Sequence, residues 1–549
     1  MTDVAEAPAH RKARGAFFTP PELAAYVTEW AVRSEEDSVL EPSCGEAAFL
    51  AAAAARLTEL GAAEPLLHGH ELHEPSALAA SAHLRALGYR AEISVGDFFE
   101  RAPNSLYDAV IGNPPYVRYQ DFGGASRAAS RQAALRAGVN LTKLASSWAA
   151  FTVHSARFVK PGGRLGLVLP AELLSVNYAA EVRSYLMRRF GTVRLVMFRD
   201  LVFPGVLEEV VLLLAEGDGG TTRMDLLQAD DVASLIGSRC LPEVTTWRPS
   251  SASGKWTEAL LPVEALDAMA TVVARSGVST LHTWGETTLG AVTGNNSYFA
   301  MRPSEVASAG IPRRDLVAIS PPGSRHLRGL GFSRQAWEKM MAADSRVWLF
   351  RPSGDELEAA SDQYRLRGEN ARVDLAYKCR VRSPWWRVPI VKPADLLLTY
   401  MNADTPRLST NQAGVHHLNS VHGIYLHDAQ RKLGRQFLPL ASLNTLTMLC
   451  AETVGRSYGG GMLKLEPREA DLLPLPSPAL VEAVADGLAS VRSKVARALG
   501  RRAVLDAVRL VDEVLLVRGL GLAVSDVEAL EAGRAYLSSR RTARGKTAP

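Results

Sequence analysis

The chain has 549 residues and a mass of 59.2 kDa, room for two to four domains. Its apolar fraction of 47% and charged fraction of 22% are ordinary for a globular protein, and no run of about 18 apolar residues marks a membrane span. A net charge of +4 does not by itself point to nucleic acid, and the 4 cysteines and 12 histidines show neither Cys-x-x-Cys nor His-Glu-x-x-His spacing, which argues against a zinc site and fits a reducing cytoplasm.

The N-terminus, "MTDVAEAPAHRKARG", lacks the apolar core of a signal peptide. Short β-rich runs then alternate with helical patterns. Strands are predicted at Val39-Leu40, Leu66 to Leu72, Ile93 to Val95, Ala109 to Ile111, Leu165 to Leu169, Val193 to Phe198 and Val210 to Leu214. Ala- and Leu-rich helices are predicted between several of them, at Ala47 to Leu60 and Ser76 to Leu87. That alternation implies an α/β fold with a parallel, doubly wound, Rossmann-like sheet. The seventh run follows the sixth after a short turn and is expected to form an antiparallel hairpin at the sheet edge.

After "AEGDGGTT" the pattern loosens into short strands, turns and loops rich in Trp, Pro, Gly and Arg, read as a separate α+β domain. From Pro478 a helical pattern returns and ends in a solvated basic tail; from Arg534 onward there are five basic residues and no acid. The expected division is 1–230, 231–477 and 478–549. No internal repeat is found.

Four strand ends carry candidate chemistry. In "VLEPSCGEAAFL", Val39 to Leu50, a strand meets an acid and a small-residue turn before a helix. In doubly wound sheets such a turn brings backbone N–H groups to a ligand, though it is equally a plain connection. It is not Gly-x-Gly-x-x-Gly, and no Gly-Lys-Ser/Thr follows, so a phosphate cradle is not expected. "GHELHE" ends the second strand at Glu71, placed to accept two ribose hydroxyls. "SVGDFF" ends the third with Asp97 and Phe98, an acceptor for an adenine amino group and a ring to pack on the base. One acid at a strand end is usually only solvated; three on consecutive strands form a pattern.

The fourth is "YDAVIGNPPYVRY", Tyr107 to Tyr119. Prolines cannot donate to a sheet ladder, so the strand stops before Asn113. The turn holds the Asn113 amide, the Pro114 carbonyl and the Tyr116 ring together at a strand's end.

Glu41, Glu71, Asp97 and Asn-Pro-Pro-Tyr together resemble the S-adenosylmethionine-dependent adenine DNA methyltransferases of bacterial restriction–modification systems. The order, cofactor motif before Asn-Pro-Pro-Tyr and recognition region after it, is similar to the TaqI-like γ class. "GAFFTPPELAAYV", Gly15 to Val27, resembles the family's cofactor-covering motif, with Thr19 in its Thr-Pro-Pro. "FVKPGGRLGLVLPAELL", Phe158 to Leu174, resembles the segment after the catalytic motif. "LVFPGVLEEVVLLL", Leu201 to Leu214, resembles the one supplying a second base-stacking aromatic, here Phe203. "RSYGGGMLKLEPREADLLPLP", Arg456 to Pro476, resembles the end of the recognition region.

The resemblance implies a seven-stranded class I methyltransferase domain, an α+β target-recognition domain and a C-terminal helical segment. It implies S-adenosylmethionine, without a metal, held by Thr19, Glu41, Pro42, Gly45, Glu71, Leu72, Asp97, Phe98, Asn113 and Pro115. Catalysis falls to Asn113, Pro114 and Tyr116, with Tyr116 and Phe203 stacking on a flipped adenine. One departure is Ala47, where the family usually has a second glycine.

The adenine 6-amino group is a poor nucleophile because its lone pair is delocalised. If Asn113 Oδ1 and the Pro114 carbonyl accept its hydrogens, the nitrogen becomes tetrahedral and its lone pair points at the methyl donor. DNA contacts are expected from Arg118 and Lys143 after the motif, and from Arg380, Arg382, Trp385, Trp386 and Arg387. The latter lie in "YKCRVRSPWWRVPIVK", which interleaves five cations with two tryptophans. "VTGNNSYF", Val292 to Phe299, is a further DNA-facing loop.

Asn-Pro-Pro-Tyr also occurs in protein glutamine and RNA guanine methyltransferases, but the large region after the catalytic fold favours double-stranded DNA. A DNA-binding specificity protein with a decayed site is opposed by the intact Asn113, Tyr116, Glu71 and Asp97. The expected state is a cytoplasmic, DNA-associated monomer, any cognate endonuclease being a separate chain. The recognition sequence is not legible, because base readout depends on side-chain geometry.

Overall fold

The computed structural model describes residues 19–199, 202, 209–237, 244–354 and 356–546. Two compact units emerge, Met1–Leu260 and Leu261–Pro549.

The first unit is built on nine strands: β1 Val39–Glu41, β2 Leu67–Glu71, β3 Glu92–Val95, β4 Tyr107–Gly112, β5 Val159–Pro170, β6 Thr192–Phe198, β7 Val210–Glu216, β8 Met224–Ala229 and β9 Thr245–Trp247. Their order is β3-β2-β1-β4-β5-β7-β6-β8-β9. β3 to β5 run parallel, as do β6 and β8, whereas β7 is antiparallel to both β5 and β6. All seven expected strands are present.

The expected position of the seventh is corrected. β7 lies inside the sheet, between β5 and β6, and not at its edge. Its run Val-Val-Leu-Leu-Leu-Ala is buried throughout, and a strand apolar on both faces cannot rest at an open edge. Nor does the sheet end near residue 230, since β8 and β9 extend it beyond β6 to Trp247.

Helices cover the sheet by apolar stripes. α1, Pro21–Ala31, starts with proline at its first position and buries Leu23, Ala24, Val27 and Ala31. α2, Ala48–Leu60, buries Phe49, Leu50, Ala53, Ala54 and Leu57 at helical spacing. α3 spans Glu74–Ala86, α4 Gly124–Leu135, α5 Ser147–Ala156 and α6 Ala180–Arg189.

The chain steps from β1 outward to β2 and β3, then returns to lay β4 on the other side of β1. The strand order therefore reverses between β1 and β4. Open α/β sheets bind ligands at such a point, beyond the carboxyl ends of the strands.

The second unit holds a five-stranded sheet in the order Gly285–Leu289, Val421–Leu426, Leu396–Thr399, Leu408–Asn411, Gly331–Phe332. A three-stranded sheet of Ala300–Met301, Trp348–Phe350 and Leu316–Ala318 accompanies it. The helices after Pro478 pack in this unit, Val524–Lys546 lying against Thr445–Val454.

The solvated basic tail is corrected in part. Arg541 is 4% exposed, with Nε 2.8 Å from Glu452 Oε2 and Nη2 2.8 Å from Glu452 Oε1. A cation with no acid near it in sequence finds one 89 residues away. Among the described residues no single helix is long and apolar enough to cross a membrane.

Candidate functional site

The ends of β1 to β4 build the site. β1 ends in Glu41, which is 3% exposed. Its Oε2 accepts from the Leu50 N–H at 3.0 Å, tying the strand end to the first turn of α2. Burial lifts the Glu41 carboxyl well above the usual range; the Leu50 N–H lowers it and nearby Glu71 raises it further.

The turn from Pro42 to Ala47 stands over that carboxyl. Gly45 adopts φ +48°, and a side chain there would meet no atom within 4 Å. Backbone beside open space at a strand–helix turn is the form of a ligand cradle. Ala47 caps α2 at φ 65°, ψ 34°, a left-handed conformation that costs an alanine about 1–2 kcal/mol and a glycine almost nothing. The family's usual glycine therefore answers a backbone demand, which this chain meets with strain.

β2 delivers Glu71. Its Oε2 accepts from Gly45 N at 2.9 Å and its Oε1 from His73 N at 2.9 Å, so it braces the β1 turn. Leu72 follows, 67% exposed. After β3, Asp97 Oδ1 accepts from Phe99 N at 3.0 Å, capping the short helical turn Phe98–Glu100.

Phe98 is corrected. It is 3% exposed and stacks on Phe151 at 5.7 Å, with His154 at 4.8 Å and Phe158 at 5.1 Å. The ring belongs to an aromatic cluster with His70, Phe151, His154 and Phe158. Two adjacent phenylalanines at a strand end are claimed by packing first.

β4 stops at Gly112, close enough to β1 that a side chain there would lie 3.6 Å from Glu41 and Pro42. Asn113 Nδ2 donates to Thr19 Oγ1 at 3.2 Å, and the Tyr116 hydroxyl donates to Asn113 Oδ1 at 2.7 Å. Two hydroxyls thus hold the amide at both its ends. The hydroxyl also reaches the Val168 carbonyl at 3.0 Å. Thr19, Asn113 and Tyr116 thus come from α1's approach, the end of β4 and the loop beyond it to meet at one place. Among the described residues no hydrogen bond reaches the Pro114 carbonyl.

Ser147 was not foreseen. Its hydroxyl donates to the Pro115 carbonyl and accepts from Val117 N at 2.9 Å, while its own N–H donates to the Val117 carbonyl at 3.0 Å. The start of α5 therefore clamps the Asn-Pro-Pro-Tyr turn. Buried Trp148 extends this support, its Nε1 lying 3.2 Å from the Tyr178 hydroxyl, which donates to Glu172 at 2.6 Å. In sequence, two serines before an apolar helix signal only an N-cap. Arg118 and Lys143 are exposed on the excursion whose ends Val117 and Ser147 pin together. Phe203 lies outside the described residues, as do Gly15 to Phe18 of the N-terminal motif.

In the second unit four side chains of the tryptophan-rich segment, all half-buried, have partners within the unit. Arg382 Nη2 donates to the Val292 carbonyl at 2.8 Å and to that of Thr293. Arg387 Nη2 donates to the Gly354 carbonyl at 2.8 Å. Trp385 donates to Glu369 Oε1 at 3.1 Å and packs on Tyr298 and Phe299. Trp386 meets Trp385 edge-on and carries Arg365 at 5.5 Å over its ring. These four side chains hold the subdomain together. Arg380 is exposed. No group of three or more His, Cys, Asp and Glu that could hold a metal occurs among the described residues.

Comparison with known proteins adds two family models. Residues 4–230 match "N-6 DNA Methylase", and residues 253–516 match "Type II methyltransferase M.Eco57I, C-terminal domain". The chain is 22% identical over 471 residues to the Type II methyltransferase M.AccI of Acinetobacter calcoaceticus, covering 84% of this chain and 85% of that one. It is 24% identical over 487 residues to M.XamI of Xanthomonas campestris pv. amaranthicola, covering 85% and 86%. In fold it is similar to the Type IIL restriction-modification enzyme MmeI solved in complex with DNA, with TM-score 0.55 and 12% identity, covering 94% of this chain and 74% of that one.

Proposed function

We propose that the chain is an N6-adenine DNA methyltransferase of the Type II kind, and that it methylates one defined site in double-stranded DNA through the Asn113–Tyr116 turn, on an adenine flipped out of the helix. The observation that carries this is the anchored amide: Thr19 and Tyr116 hold Asn113 at both its ends, beside a carbonyl of Pro114 that no described residue engages. Two rigid acceptors are what an exocyclic amino group needs if its lone pair is to be localised on nitrogen.

Each residue has a task. Asn113 Oδ1 keeps a second lone pair for one amino hydrogen and the Pro114 carbonyl accepts the other. Tyr116 offers its ring to the base while its hydroxyl orients the amide. A flipped base loses stacking worth a few kcal/mol, which aromatic contact partly restores; Phe203 is the second stacking partner in this reading.

The open space over Gly45, beside Glu71, suits S-adenosylmethionine, which when bound supplies an electrophilic methyl group. Glu71 and Asp97 would hold its adenosine, with exposed Leu72 against the adenine. Pro42, Gly45 and Glu41 would line its methionine side, and Thr19 and Pro115 would close over it. Arg118 and Lys143 grip phosphates near the flipped base. The enzyme acts as a cytoplasmic monomer of the γ class, beside any separate endonuclease.

The test is long-read modification sequencing of DNA from a methylation-free host expressing the chain. Methyl-adenine confined to one motif, and lost in Asn113→Ala, supports the reading. Unmodified DNA from folded, cofactor-binding protein overturns it.

A further inference from the structure

We propose that two loops of the second unit, Thr293–Ser297 and Leu375–Arg382, form one DNA-reading head, in which Asn296 and Tyr377 face base edges while Lys378 and Arg380 hold flanking phosphates. This inference rests on the DNA-methyltransferase reading and adds the element that reads the site.

The loops are far apart in sequence and joined in space. Gly294, at φ +88°, lies so close to the other loop that a Cβ there would be 3.0 Å from Cys379 Sγ and 3.2 Å from Lys378 Cβ. The Thr293 carbonyl accepts from Cys379 Sγ at 3.6 Å and from Arg382. Behind this seam stands a rigid aromatic base. Tyr298 stacks on Tyr364 at 4.8 Å, its hydroxyl donates to the Tyr364 carbonyl at 2.9 Å, and Trp385 packs beside it.

What that base supports points outward. Leu375 is 55% exposed, Tyr377 65% and Val381 63%, although all three flank Cys379, which is fully buried. Large apolar side chains raised on a buried support mark a contact surface. Lys378 Nζ lies 5.6 Å over the Tyr377 ring, and neither Lys378 nor Arg380 meets an acid among the described residues. The sequence excludes acids more widely: none occurs in 287–304 or in 375–394. A cationic surface free of carboxylates repels an acidic partner least, and DNA is the polyanion this enzyme must hold.

The amide completes the set. Asn296 Oδ1 accepts from Thr293 Oγ1 at 2.6 Å, which orients the side chain. An oriented asparagine on one loop and an exposed aromatic on the other suit base edges, whereas lysine and arginine on a short turn suit phosphates.

The experiment uses the full chain and four variants: Lys378→Ala/Arg380→Ala together, Asn296→Ala, Tyr377→Ala and, as scaffold control, Arg382→Ala. Each is expressed in the methylation-free host for motif sequencing. Each is also titrated against a duplex carrying the wild-type motif at several salt concentrations. Loss of both cations is expected to weaken binding at least about 10-fold and to flatten the logarithmic salt slope by about 2, near 0.9 per phosphate contact. Asn296→Ala and Tyr377→Ala should keep the slope and relax one or more motif positions. Arg382→Ala should weaken binding only together with a lower Tm. Unchanged motif, affinity and slope in the first three, with active wild type, overturn the head but not the methyltransferase. An inactive wild type that binds no DNA overturns both.

Discussion

The Asn113–Tyr116 turn and the Tyr377–Arg387 segment both read as ligand-facing in sequence, and the structure treats them differently. In the first, the residues singled out stand at the site, held by Thr19, Ser147 and one another. In the second, Arg382, Trp385, Trp386 and Arg387 are spent on the subdomain's interior and its carbonyls, while Tyr377, Lys378 and Arg380 face solvent. The difference lies in what fixes each side chain. Two prolines at the end of a buried strand determine the backbone locally, and the backbone determines the chemistry. A run of cations and aromatics fixes no direction, so tertiary packing decides which of them turn inward.

The comparison can be broken or sharpened by substitution. The largest effect expected is Asn113→Ala, which should lower methyl transfer by about 10³-fold, as loss of a preorganised polar partner does. Cofactor binding, read by calorimetry, should change less than about 3-fold; residual activity near wild type would remove the amide from the mechanism. Next is Trp385→Ala, expected to destabilise the protein by about 3–5 kcal/mol in urea unfolding. The exposed Tyr377→Ala should stay within about 0.5 kcal/mol; equal losses would erase the distinction between support and surface.

A third effect depends on pH. His154 lies under the site, its Nε2 3.0 Å from the Phe98 carbonyl, and burial pushes its imidazole down to about 4. A depressed base binds its proton more readily unfolded than folded. Its contribution is therefore present above about pH 6.5 and is lost as pH falls toward 4, a change of roughly 3 kcal/mol. Urea unfolding from pH 7 to pH 4 should show that extra acid sensitivity in wild type and not in His154→Gln. Smallest is Tyr116→Phe, which keeps the ring and removes the hydroxyl on Asn113 Oδ1. A loss of about 10-fold in kcat, with KM for DNA little changed, matches one charge-free hydrogen bond.

Much of the first unit was legible. Strand ends with acids, the Thr-Pro-Pro start and the proline turn are local features, and every expected strand formed. What escaped were relations between distant segments. The interior place of β7 depends on which neighbours take its two edges. Ser147 becomes a clamp only because α5 begins beside the turn. Phe98 followed a candidate acid, yet four aromatic neighbours enclose it. Arg541 looked solvated until Glu452 lay beside it.

The interior position of β7 also bears on how the molecule is made. β5 and β6 share no hydrogen bonds, so neither can close on the other while the chain is being synthesised. The sheet stays in two pieces until Val210–Glu216 emerges and pairs with both at once. Tyr116 leans by its hydroxyl on Val168, a residue of β5 whose other edge waits for that late strand. The Asn113–Tyr116 turn is therefore finished about a hundred residues after it leaves the ribosome, and a nascent chain shorter than that carries the candidate residues without a completed site.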